Sequence, residues 1–198
     1  MTASASVSPK ELPEDSLTSV AEGKIESVIY ARLEPDADLY LEIKRICRER
    51  GVRTGVVMTI TGALDKARLQ LLNTSQVKTG TPEVLELTGP FEASGHGIIG
   101  RMRESNSGGI FNGEEAGSAY LHIHLTLTVG HGESVKTYCG HLMEGCTVRS
   151  RHAISHFTLV IGKVSGVQLD LAVDRGAIMA GYPDGLRYHA LAEEPGPV

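Results

Sequence analysis

The stretch Tyr120–Leu142, YLHIHLTLTVGHGESVKTYCGHL, decides how this chain is read. Leu121, Ile123, Leu125 and Leu127 alternate with polar residues, the period of a strand with one buried face. Gly130-His131-Gly132 then interrupts the pattern as a turn, and a second extended run leads from Ser134 to Leu142. The pattern predicts a β-hairpin. His122 and His124 share a face, because strand side chains repeat every second residue. A two- or four-residue loop centred between His131 and Gly132 sets His141 opposite His122 and Cys139 opposite His124. Opposed Cβ atoms lie roughly 4.5–5.5 Å apart and diagonal ones about 7–8 Å, so the three imidazoles converge on one patch. Three protein ligands with a position left for water is the pattern of an open, catalytic-type zinc site. A register slip of one residue would send His141 to the other face. The alternative reading is three half-buried histidines satisfied by backbone and hydroxyl groups.

Upstream, residues 1–22 read as a mobile polar leader and Lys24–Leu33 as a first strand. Glu34-Pro35-Asp36 breaks that strand. Asp36 is read as the N-cap, with Asp38 in the first turn, of a helix running to about Arg50. Leu39, Ile43, Ile46 and Cys47 form its buried stripe, and Gly51 stops it. Val56–Ile60 is read as a short strand, Thr61-Gly62-Ala63 as a bend, and Ala67–Leu72 as a returning strand. After a polar loop at Asn73–Pro82 comes Val84–Leu87, and then a longer segment, Thr88–Ile99, read as a bulged or bent strand. It carries His96, a strand histidine that borders the site if its strand neighbours the hairpin.

Arg101–Ser118 has no periodicity and reads as a long loop. Downstream of the hairpin, the turn Met143-Glu144-Gly145-Cys146 brings Glu144 towards the open metal position. His152 and His156 read as surface histidines, since no Glu follows His152 as the zinc-protease pattern requires. Phe157–Ile161 and Val167–Val173 are strands. One domain is expected over residues 23–175, with an irregular C-terminal tail over 176–198.

A chain of 198 residues is long enough for one substantial core. With no Trp and three Phe, that core is aliphatic, and 23 Gly favour turns and strands over a helical bundle. The net charge of −5 argues against nucleic acid as a default partner. No apolar run approaches the roughly 18 residues of a membrane span, and the start lacks the features of a secretory signal. Three cysteines without framework spacing point to free thiols and a reducing, cytoplasmic setting.

Four stretches, in order, carry a resemblance to a known family: ARLEPDADLYLEIKRICRERGV, TGVVMTITGALDKARLQ, YLHIHLTL and GHLMEGCTV. Together they resemble the plants-and-prokaryotes-conserved (PPC) domain. The resemblance implies an α+β fold, a largely antiparallel β-sheet flanked by few helices, and assembly as a homotrimer. It also implies that His122, His124 and His141 occupy the family's recurrent histidine positions, where some prokaryotic members hold zinc. Plant members join this domain to a basic arm with an Arg-Gly-Arg-Pro core, and no such core occurs here. The expectation is a stand-alone PPC-type protein binding zinc, or another divalent metal, through His122, His124 and His141. Its chemistry would be of lyase or hydrolase type on a small molecule, with Glu144 as acid or base and Arg149 orienting an anionic substrate. The alternatives are a non-catalytic assembly or regulatory module and, less favoured, a DNA-binding protein.

Overall fold

The computed structural model describes residues 20–71, 83–103, 105, 114–150, 156–173 and 187–193. The polar leader up to residue 19, the Asn73–Pro82 loop, half of the Arg101–Ser118 loop (104 and 106–113) and His152 lie outside them. Along the chain run β1 (Lys24–Leu33), α1 (Leu39–Arg50), β2 (Thr54–Leu71), β3 (Glu83–Met102), β4 (Ala119–Val129), β5 (Lys136–Leu142), β6 (Thr147–Val148), β7 (Phe157–Ser165), β8 (Val167–Val173) and β9 (Arg187–Glu193). The strands form one sheet in the order β1-β7-β2-β5-β4-β3-β8-β9, with β6 on β2 and a further pairing of β2 with β3. Every pairing is antiparallel except β3 with β8. The expected α+β architecture, largely antiparallel with a single described helix, is what the chain adopts.

One connection was not expected. Because β2 pairs β3, β3 pairs β4, β4 pairs β5 and β5 pairs β2, these four strands close a ring. Closure depends on β2 being one strand of 18 residues, where the sequence suggested two strands folding back at Gly62. Gly62 has φ 152°, and a Cβ there would lie 2.7 Å from the Phe157 ring. Register shifts on either side of it, at Val57/Ile60 and Leu64/Lys66, accompany the passage of β2 from one set of neighbours to the next without reversing it. The first half of β2 lies between β7 and β3, and the second half between β3 and β5.

The helix forms where its apolar stripe falls, with Leu39, Ile43, Ile46 and Cys47 buried as expected and Tyr40 buried beside them. Its cap is Asp38, not Asp36. The Asp38 carboxylate accepts a hydrogen bond from Leu41 N (3.1 Å), while Asp36 turns the chain with φ 66° before the helix begins. Gly51 ends the helix in the left-handed conformation, φ 61°. Glu114 ties the end of the long Arg101–Ser118 segment to this helix. It accepts from the Tyr40 hydroxyl (2.9 Å) and pairs with Lys44.

β1 and β8 have the bounds read from the sequence. Beyond β8, Arg187–Glu193 pairs antiparallel with it, where an irregular tail was expected. The partner strand defines β9, since local alternation there is weak.

The core lies on the inner side of the ring and under α1. Leu121, Ile123, Leu125 and Leu127 of β4 are each at most 1% exposed, packed with Leu64, Leu69, Phe157, Leu159 and Ile161. Burying an aliphatic side chain of this size contributes about 1.5–3 kcal/mol, so turning all four outward would cost on the order of 6–12 kcal/mol. That rivals the whole stability of a typical domain, about 5–15 kcal/mol. The faces of β4 are therefore fixed: leucines in, histidines out.

Candidate metal centre

His122 and His124 project from the outer face of β4, alternating with the buried leucines. β5 supplies His141, but in a register two residues from the one expected. Val129 pairs with Lys136, so His141 lies opposite His124, and Cys139 opposite Thr126. The loop is six residues long. Gly130 (φ 99°) and Gly132 (φ 56°) turn the chain, and a 3-10 turn over Gly132–Ser134 holds it, with Ser134 N donating to His131 O at 3.1 Å. A shift of two preserves every side chain's face, so the three histidines still meet.

Their ring centres form a nearly equilateral triangle, 5.3 Å from His122 to His124, 5.4 Å from His122 to His141 and 5.6 Å from His124 to His141. Their ligating nitrogens all lie within 4.8 Å of one another. An imidazole bound to zinc at about 2.0–2.1 Å has its centre roughly 3.2 Å from the ion, so two tetrahedral ligands have centres about 5.2 Å apart. The observed triangle is within a few tenths of an ångström of that figure. The donor set and its spacing fit zinc.

The electrostatics agree. His141 is partly buried, and burial first, then the neighbouring His122 and His124, lowers its pKa to about 4. A ring held neutral at physiological pH offers the lone pair that a metal requires. Tyr120, buried at 4% exposure, stands two residues before His122 with ring centres 6.3 Å apart and walls one side of the site.

Two neighbours of the site depend on which strands pair. Gln70 of β2 pairs with His141, a contact that exists only because the strand ring closes. On the other side, His96 of β3 pairs with His124, which makes it the bordering histidine that the sequence named conditionally.

Glu144 and Arg149 both follow β5 in the chain. The Met143–Cys146 turn is docked on the start of α1, where Gly145 N donates to Asp38 Oδ2 at 2.6 Å, and the exposed Glu144 acts electrostatically on Tyr40. Arg149 is ion-paired with Asp65, and its backbone N–H donates to Ala63 O at 2.8 Å. Glu144 does not belong to the group of ligating side chains found among the described residues. Cys139 is exposed, while Cys47 and Cys146 are buried, and all three are free thiols.

The sequence profile of the Plants and Prokaryotes Conserved (PCC) domain, also abbreviated PPC, matches residues 20–154, more than half of the chain. The chain belongs to this family. PPC folds are also what it resembles among solved structures. A metal-containing protein from Archaeoglobus fulgidus is similar with a TM-score of 0.64 at 20% identity, over 87% of this chain and 99% of that one. A PPC protein from Pyrococcus horikoshii gives 0.63 at 16% identity, over 87% and 97%. A candidate DNA-binding protein from Bacteroides thetaiotaomicron gives 0.59 at 18%, over 86% and 96%. At these identities the likeness establishes the PPC fold. No curated protein matches the chain. Among the described residues of this PPC protein, no helix is long and apolar enough to cross a membrane.

Proposed function

We propose that this PPC protein binds one divalent metal ion, zinc, per chain through His122, His124 and His141. The single observation that carries the reading is the 5.3–5.6 Å triangle of ring centres, which matches tetrahedral imidazole ligation. A metal-containing relative of the same fold supports it. An ion held by three imidazoles would acidify a bound water or polarise a carbonyl oxygen. The protein's own residues would orient a small carboxylate or ester for hydrolysis or decarboxylation. Glu144, three residues beyond His141 and exposed, keeps the proposed acid–base role. Arg149, which also pairs with Asp65, keeps the proposed role of orienting an anionic substrate.

The protein works as a homo-oligomer, a trimer in this reading. Support comes from the outer face of β1, β7 and β2, where Val28, Tyr30 and Met58 are 46%, 77% and 49% exposed. Val28 pairs with Gly162, which pairs with Val56, and Met58 and Ile25 close over the same glycine, so these residues form one apolar surface. The same surface favours the second reading, a non-catalytic assembly module whose metal is structural. DNA binding is the weakest reading, given the net charge of −5.

Elemental analysis of the purified protein, run alongside light scattering, tests the proposal. One zinc per chain in a trimeric species is expected. Absence of stoichiometric metal after incubation of the metal-free protein with zinc overturns it.

A further inference from the structure

On the outer face of the sheet, His124 has a histidine on each side. His141 of β5 and His96 of β3 are both its direct partners. His122 lies two residues back along β4, opposite Ile98. His96 therefore stands to His122 and His124 as His141 does, reflected across β4. Opposed Cβ atoms are roughly 4.5–5.5 Å apart and diagonal ones about 7–8 Å, which puts the His96 side chain within reach of the same point in space.

The chain also draws β3 tightly against β4 here, since His96 sits between Gly95 and Gly97. A Cβ at Gly97 would lie 2.3 Å from the His122 carbonyl oxygen and 2.6 Å from Ile123 Cα. One at Gly95 would lie 2.6 Å from Leu125 Cδ2 and 2.8 Å from the His124 carbonyl oxygen. A Cβ at either position would press on the β4 backbone, so the Gly-His-Gly triplet carries an imidazole where β3 lies tight against β4. His96 is exposed and not packed into the core. Its ring stands outside the group of ligating nitrogens formed by the other three.

We propose that His96 is a fourth imidazole for the ion held by His122, His124 and His141, entering its coordination sphere from β3 as His141 does from β5. This inference rests on the metal reading above and specifies what fills the remaining position. Four nitrogen ligands suit tetrahedral zinc, and a fourth protein ligand turns an open site into a closed one. An incoming small molecule with a carboxylate or carbonyl oxygen then reaches the ion only by displacing His96. His96 is the ligand that exchanges, because its ring stands outside the group that the other three already form.

Cobalt(II) substitution in the full-length protein reads this out without any activity. The wild type is expected to give the intense visible absorption of a four-coordinate ion. His96→Ala is expected to give the weaker spectrum of a higher-coordinate, water-bearing ion and to lose affinity at least about tenfold. His96→Cys is expected to add a thiolate-to-cobalt charge-transfer band in the near ultraviolet, above any contribution of Cys139 seen in the wild type. A wild-type spectrum and affinity in His96→Ala, with no new band in His96→Cys, overturns the inference while leaving the three-histidine site standing. A wild type that retains no metal overturns both. Circular dichroism of each variant confirms that the fold is intact.

Discussion

His124 on β4 and His141 on β5 are directly opposed across the hairpin, with ring centres 5.6 Å apart and ring planes at 86°. Their side chains share the outer face, and His122 completes the triangle from two residues back along β4. Removing either His122 or His141 leaves two donors. We expect His122→Ala and His141→Ala each to lose zinc by more than the roughly 10–100-fold that changes in outer-shell partners cost. Isothermal titration of the metal-free variants measures it, and near-wild-type affinity in either would contradict the site.

The same relationship makes the metal-free protein sensitive to acid. His141 titrates at about 4 in the folded chain, against 6.5 unfolded. Between those values the unfolded chain binds a proton that the folded chain does not, so stability rises with pH across that window. The contribution is complete above about pH 6.5 and is lost as pH falls towards 4. After discounting for partial exposure it is on the order of 2–3 kcal/mol. Urea midpoints of metal-free wild type should fall relative to those of His141→Gln as the pH drops through the window, because the variant has no ring to protonate there.

Asp38 joins two segments through one carboxylate, accepting from Leu41 N at 3.1 Å and from Gly145 N at 2.6 Å. It caps α1 and pins the turn that follows β5. Asp38→Ala should cost about 1–2 kcal/mol, the upper part of the N-cap range, because two donors lose their acceptor. Asp38→Asn should recover most of it. Chemical denaturation decides, and an Asp38→Ala variant as stable as wild type would refute the dual role.

Gly97 is a steric test of the strand pairing beneath the histidines. A Cβ at 2.3 Å from the His122 carbonyl oxygen cannot be absorbed by a side-chain rotation, because the obstacle is backbone. Gly97→Ala should destabilise the fold by about 1–3 kcal/mol, as overpacking does, and weaken metal binding by displacing His122. Thermal melts and zinc titration on the one variant check both effects together.

Asp170 is 1% exposed and gathers Arg101 (3.2 Å), Arg103 (3.3 Å) and Gln168 (2.8 Å) where β3 meets β8. Burial pushes its pKa up, but hydrogen bonds from Arg101 and Gln168, the charge of Arg101 and a bond from Arg103 outweigh that and hold it below the usual carboxylate value. Its stabilisation is therefore present above the unfolded carboxylate pKa and lost as acid protonates the folded group. Asp170→Ala should cost roughly 1–3 kcal/mol, because the arginines remain partly solvated when their partner is removed. Loss of the acid-side slope in the variant's stability profile is the accompanying sign.

The alternation in β4 determined, from sequence alone, that Leu121, Ile123, Leu125 and Leu127 face inward and His122 and His124 outward, because exposing four aliphatic side chains would cost as much as the fold is worth. The helix stripe and the Gly51 stop were legible for the same kind of reason, since each is a local pattern of burial or backbone freedom. Alternation has a period of two, however, and cannot distinguish registers two residues apart. The six-residue turn and the pairing of His141 with Gln70 on β2 selected the one that sets His141 against His124. Likewise His96 became a neighbour of the site only because β3 packs on β4 through Gly95 and Gly97. That pairing joins segments separated by a long loop, and no local pattern encodes which distant strand will take the open edge.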